Sequence, residues 1–186
     1  RIQSIEFNKD QYLNSIISIN KNVINEAKEK DKTKPESIFS LHGIPVLLKD
    51  NINYDGLATT AGTIALNDNV TNNAFIVDKL KNEGALILGK TNLSEWAYYF
   101  CNNCPSGYSA QGGQTLNPYG RKIFDSGGSS SGSGAAISAN FSSVSLGSET
   151  SGSILSPSSA NSIVGLKPTI GLVSRSGIVP ISSTLD

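Results

Sequence analysis

The run Ser126 to Gly134, built only of serine and glycine, restricts the fold of this 186-residue chain more than any other feature. Such composition usually marks a flexible linker between domains. Here the run leads without a break into Ala135, Ala136, Ile137, Ala139 and Phe141. From Ser131 onward these small and apolar residues read as a helix, and Ser143 to Leu146 reads as a strand after it. The glycines and serines therefore belong to a packed core, where backbones approach closely. A single α/β domain over 1–186 follows, within the usual size for one core.

The rest of the chain supplies the partners. From Asn8 to about Lys30, Leu13, Ile16, Ile17, Val23 and Ile24 recur at mixed three- and four-residue spacings, which predicts an amphipathic helix. Ile44 to Leu48 is a short apolar strand that delivers Lys49, Asp50 and Asn51 at its end. Ala74 to Glu83 has helical spacing, Gly84 stops it, and Ala85 to Leu88 reads as a buried strand. Tyr98 to Tyr119 has no clear period and reads as a long ordered loop, a kind of segment that often carries function.

Charge excludes several classes of partner. Fifteen basic residues balance fifteen acidic ones without a long like-charge block, so neither nucleic acid nor an anionic membrane surface is an expected partner. No run approaches the ~20 apolar residues of a membrane span, and the first residues lack a secretory pattern. A cytoplasmic location is the default expectation. The chain opens on Arg1, contains no Met and stops at Asp186 after an apolar run, so it reads as an excised piece from which a leader could have been removed. Cys101 and Cys104 form a lone C-x-x-C. With His42 as the one histidine, a four-ligand zinc site cannot be completed, which leaves a loop disulfide or two idle thiols. No metal or other cofactor is expected.

Two motifs tempt and fail. Gly84 to Thr91 satisfies G-x-x-x-x-G-K-[ST], but its four middle residues are themselves the strand, whereas a phosphate loop must follow one. Gly128-Ser-Ser-Ser-Gly132 satisfies G-x-S-x-G, yet no histidine follows it as that triad requires. His42, upstream, is expected to fix the start of the Ile44 strand through hydrogen bonds.

A serine nucleophile without histidine needs another base, and lysine remains. A lysine serves only when neutral, which takes burial strong enough to lower its pKa by several units from ~10.4. Lys49, at the end of an apolar strand, is the one placed for it.

Four segments in order now resemble one family. Gly43-Ile-Pro-Val-Leu-Leu-Lys49-Asp50-Asn51, Gly127-Gly-Ser129-Ser-Ser-Gly-Ser133, Gly147-Ser-Glu-Thr-Ser-Gly-Ser153-Ile154 and Gly165-Leu-Lys-Pro-Thr169 are together similar to the amidase signature family. Glu149, Thr91-Asn-Leu-Ser-Glu-Trp96 and Gly112-Gly-Gln-Thr-Leu-Asn-Pro118 look most like its peptide amidase branch. The glutaminase subunit of tRNA-dependent amidotransferases resembles the same signature.

The resemblance implies a mixed central sheet with helices on both faces, of which this chain holds the N-terminal part. It implies a Ser-cisSer-Lys triad: Ser153 as the acylated nucleophile, Ser129 as relay after a cis bond from Gly128, and Lys49 as base. The turn Thr150, Ser151, Gly152, Ser153 would supply the oxyanion hole, and the substrate would be a small amide or peptide amide. Ser151 departs from the Gly or Asp usual at its position, which matters if the backbone there needs positive φ. Ser131 also replaces a frequent glycine. Because family domains are more than twice as long, a non-catalytic fragment is the remaining alternative; the oligomeric state is open.

Overall fold

A computed structural model describes residues 1–186. In chain order the elements are α1 (Ile2–Glu6), β1 (Ile16–Ile19), α2 (Val23–Lys30), β2 (Pro45–Lys49), α3 (Phe75–Asn82), β3 (Leu86–Thr91), β4 (Tyr108–Ser109), β5 (Gly113–Gln114), α4 (Ser131–Ser138), β6 (Val144–Leu146) and α5 (Leu155–Ala160). The main sheet runs β1-β3-β2-β6, and β4 and β5 form a small antiparallel ribbon. In the main sheet β2 is parallel to β3 and to β6, while β1 lies antiparallel on the edge of β3. It is the mixed sheet the resemblance implied.

Strand β2 organises both layers because successive side chains of a strand face opposite ways. Val46 and Leu48 join Ile87, Ala74 and Val77 in one cluster, under α3. Leu47 points the other way and meets Leu116, Ala136 and Phe141, under α4. All three β2 residues are at most 1 % exposed, worth about 1.5 to 3 kcal/mol each in burial. Helix α4 can lie directly on the strands because its residues are small. A Cβ on Gly132 would fall 2.5 Å from the backbone nitrogen of Asn92, just past β3. The glycine/serine run is thus a packing surface.

The expected helix from Asn8 to Lys30 is corrected. Only Val23–Lys30 is helical there, and Ile16–Ile19 is the edge strand β1. Asn20 makes the break: its side-chain oxygen accepts the Asn22 N–H at 2.9 Å, and its amide donates to the Ile87 carbonyl at 3.0 Å. Upstream, the Glu6 carboxylate accepts the N–H groups of Leu13, Asn14 and Ser15 and so pins the chain in extended form.

Strands β2, β3 and β6 and helices α3 and α4 lie where the pattern put them, whereas α1 and α5 had no such signal and the expected loop 98–119 holds the short ribbon β4–β5. Gly84, at φ +93°, ends the turn after α3 in a conformation that suits glycine. His42 is placed differently from expectation: its Nε2 lies 3.0 Å from the Lys30 carbonyl oxygen and so closes the end of α2. The start of β2 is held instead by Gly43 N–H donating to the Gly84 carbonyl. Cys101 and Cys104 are joined in a disulfide. No helix is long and apolar enough to cross a membrane.

Candidate active site

Because β2 and β6 are parallel, both end at the same edge of the sheet, the place where open α/β sheets bind ligands. Lys49 is the last residue of β2, the turn Ser148 to Ser153 follows β6, and Ser129 lies just before α4. Three loops distant in sequence thus meet around one point.

Lys49 and Ser129 are fully buried and Ser153 is 9 % exposed. Lys49 Nζ lies 2.7 Å from Ser129 Oγ and 2.9 Å from Ser148 Oγ, with the Ser148 carbonyl at 3.3 Å. The bond from Gly128 to Ser129 is cis. Ser153 is tied to this loop through its carbonyl, which accepts the Ser130 N–H at 3.1 Å. Its hydroxyl forms no hydrogen bond to Ser129 Oγ, although both residues line the same small cavity of about 30 Å³. The structure thus brings the two serines to one cavity with Lys49 buried behind Ser129, and it makes one of the two hydroxyl and amine links expected between them.

The hydroxyls separate the serines by role. Ser130 Oγ donates to the Ser148 carbonyl, Ser131 Oγ to the Gly127 carbonyl and Ser133 Oγ to the Leu146 carbonyl. Each of those is committed to holding a loop. Ser129 Oγ faces an amine, and Ser153 Oγ has no partner in the chain. Ser130, at the centre of the G-x-S-x-G string, is therefore a structural residue.

Electrostatics favour a neutral lysine. Burial lowers the Lys49 pKa from 10.5 to about 7, against the opposing pull of the Asp186 and Glu149 carboxylates. Burial by itself would raise the Glu149 carboxyl, yet the N–H groups of Leu155 and Ile154 hold it below the ordinary carboxylate value. Asp186 behaves alike: burial opposes ionisation, and the Thr150 hydroxyl with the N–H groups of Ile181 and Ser182 overcomes it. One position along, Asp50 and Lys90 form a fully buried pair 3.4 Å apart. Burial pushes the Asp50 carboxyl up and lowers Lys90 to about 8. That lysine, from the phosphate-loop string, is fully buried and donates to Thr59 Oγ1 at 3.0 Å.

In the turn after β6 the left-handed residue is Gly152, at φ +83°, and Ser151 is not in that region. Serine at 151 therefore carries no backbone strain. The N–H groups of Thr150, Ser151 and Ser153 have no acceptor in the chain, while Ile154 and Leu155 donate to Glu149. No cluster of His, Cys, Asp and Glu gathers to hold a metal.

Sequence reasoning missed Ser148, whose hydroxyl bridges Lys49 Nζ and Asn51 Nδ2. It also missed Asp186, which ties Thr150 to the Ile181 segment. Ser148 stands inside a quoted motif, but nothing in its spacing marks it as a lysine partner.

A second, apolar cavity of about 270 Å³ opens beside the first, and the two share Asn51, Ala97 and the segment 179–181.

Comparison with known proteins agrees on one family. The family model described as Amidase matches residues 3–186. A probable amidase of Arabidopsis thaliana is 48% identical over 180 residues, covering 94% of this chain and 35% of that protein. A component of the glutamyl-tRNA(Gln) amidotransferase of Thermoanaerobacter pseudethanolicus is 42% identical over 180 residues, covering 94% of this chain and 35% of its own length. The crystal structure of the native peptide amidase from Stenotrophomonas maltophilia superposes with a TM-score of 0.92 at 48% identity, over 97% of this chain and 37% of that one. The chain thus spans about a third of the length of the relatives it matches.

Proposed function

Because the chain belongs to the amidase family, we propose that the protein hydrolyses a small amide, of the peptide amide class, through a Ser153 acyl-enzyme. Neutral Lys49 takes the proton of Ser129 Oγ, and Ser129 takes that of Ser153 Oγ as it attacks the carbonyl carbon. The unpartnered N–H groups of Thr150, Ser151 and Ser153 are available to the developing oxyanion, at about 3 to 4 kcal/mol per well-placed donor, whereas that of Gly152 is turned to the Glu149 carboxylate. The relay runs backward to protonate the departing ammonia, and water resolves the acyl-enzyme by the same path. The open Ser129 to Ser153 link fits a substrate-free site, since catalytic hydrogen bonds often tighten only in the complex.

One observation carries this reading: a fully buried lysine, with its pKa lowered to about 7, sits 2.7 Å from a serine hydroxyl. A structural lysine would be expected to carry its charge against a carboxylate, as Lys90 does with Asp50. The bonded Cys101–Cys104 pair favours an oxidising compartment over the cytoplasmic default.

The test is ammonia release from a C-terminal peptide amide by the protein at its natural length. Ser153→Ala and Lys49→Ala should each lower kcat/KM on the order of 10³-fold or more. Full activity in either variant sinks the mechanism. The amidotransferase relative supports a second reading, glutamine hydrolysis within a multi-subunit enzyme. Glutamine-dependent ammonia release that requires a co-purifying partner chain would replace the first reading with it. Hydrolysis of neither substrate would favour a non-catalytic role.

A further inference from the structure

The segment Trp96 to Cys104 has features the triad does not explain. Trp96, Ala97 and Tyr98 are all left-handed, at φ +50°, +52° and +72°, and none is glycine. Each such residue costs about 1 to 2 kcal/mol, so a run of three persists only where the surroundings hold it. The surroundings do: Trp96 N–H donates to the Ala61 carbonyl and Ala97 N–H to the Ser94 carbonyl, both at 2.9 Å. The Tyr98 hydroxyl packs on Gly128, where any Cβ would displace it.

The run turns the next two side chains outward. On residues 1–186 Tyr99 and Phe100 are 67 % and 73 % exposed, and neither joins one of the two core clusters. Phe100 meets Trp96 edge-on with centroids 5.7 Å apart, and Tyr99 meets Phe100 edge-on at 5.0 Å. These three rings, with Leu93, wall the 270 Å³ cavity that shares Ala97 and Ile181 with the Ser129 and Ser153 pocket. Directly after Phe100, the Cys101–Cys104 disulfide closes a four-residue loop.

We propose that this cavity is a specificity subsite for a large apolar group next to the scissile amide, and that Cys101 and Cys104 are positioning residues whose bond holds the Tyr99 and Phe100 wall. The idea rests on the amide-hydrolase reading for its substrate but not for its binding. Aromatic rings placed at the mouth of a buried nucleophile's pocket recognise an aromatic or branched side chain by area and edge-to-face contact. A hydrogen atom in that place, as in a glycine amide, leaves the cavity wet and adds no affinity.

The test compares N-acetyl-phenylalaninamide with N-acetyl-glycinamide on the protein at its natural length. Binding is measured by calorimetry in a Ser153→Ala background, and turnover in the wild type. The phenylalanine amide should bind at least about tenfold tighter. Phe100→Ala, and separately Cys101→Ser with Cys104→Ser, should raise its Kd and KM about tenfold while leaving its kcat, and all constants for the glycine amide, unchanged. A cysteine pair with a merely structural role would lower kcat on both amides alike, and that result overturns the positioning claim. Equal affinity for the two amides overturns the subsite even if both are hydrolysed. Tighter binding of the phenylalanine amide without turnover of either keeps the subsite and removes the hydrolase reading.

Discussion

Replacing Lys49 by methionine isolates the proton economy on which the site depends. The lysine pKa is about 7 in the folded chain, against 10.5 for the unperturbed group. Between those values the unfolded chain binds one proton more than the folded one, so stability rises with pH. The gradient is about 1.4 kcal/mol per pH unit, and the whole window is worth about 5 kcal/mol. Below the folded pKa both states carry the proton and the penalty for a buried ammonium is complete; above the unfolded pKa it has gone. Lys49→Met removes this group, together with its contacts to Ser129 and Ser148, which are a constant offset. Lys90 titrates in both proteins and cancels. Urea unfolding of both, followed from about pH 6 to pH 10, should give a stability difference that moves in favour of wild type by about 4 kcal/mol. A difference that stays flat across this window would mean that Lys49 is an ordinary ammonium at neutral pH, and the base assignment would fail.

Two further outcomes follow from the same electrostatics. The acid limb of kcat/KM should lie near pH 7, where Lys49 loses its proton, and Glu149→Gln should shift that limb to lower pH by removing a charge that favours the ammonium; a pH-rate profile unmoved by the change would contradict it. Lys90→Met leaves Asp50 as an unpaired buried carboxylate and should cost about 3 to 5 kcal/mol in denaturant unfolding, whereas Lys90→Met with Asp50→Leu should recover most of it, and equal losses would refute the pairing.

What could be read in advance was the part set by local pattern. Strand β2 announces itself because Val46, Leu47 and Leu48 are buried on both faces and must all be apolar. Helix α4 was visible because only small residues allow its approach to Asn92. The span 8–30 misled because mixed apolar spacings suit a helix as well as an edge strand. The deciding contacts, Asn20 to Ile87 and Glu6 to Ser15, come from side chains with no periodic signature. Within the site, Lys49 and the two serines were legible through their motifs. Ser148 meets Lys49 across 99 residues, and Asp50 faces Lys90 across two neighbouring strand ends. Those pairings arise from sheet order, which no stretch of sequence states by itself. The left-handed run at Trp96 was equally hidden, since Trp, Ala and Tyr give no hint of positive φ.

The most direct measurement of the central claim is mass spectrometry of the natural-length protein after treatment with a fluorophosphonate, which phosphonylates an activated serine. Stoichiometric modification at Ser153, lost in Lys49→Ala, is the predicted result. Modification of another serine, or labelling of Ser153 that persists without Lys49, would contradict the account.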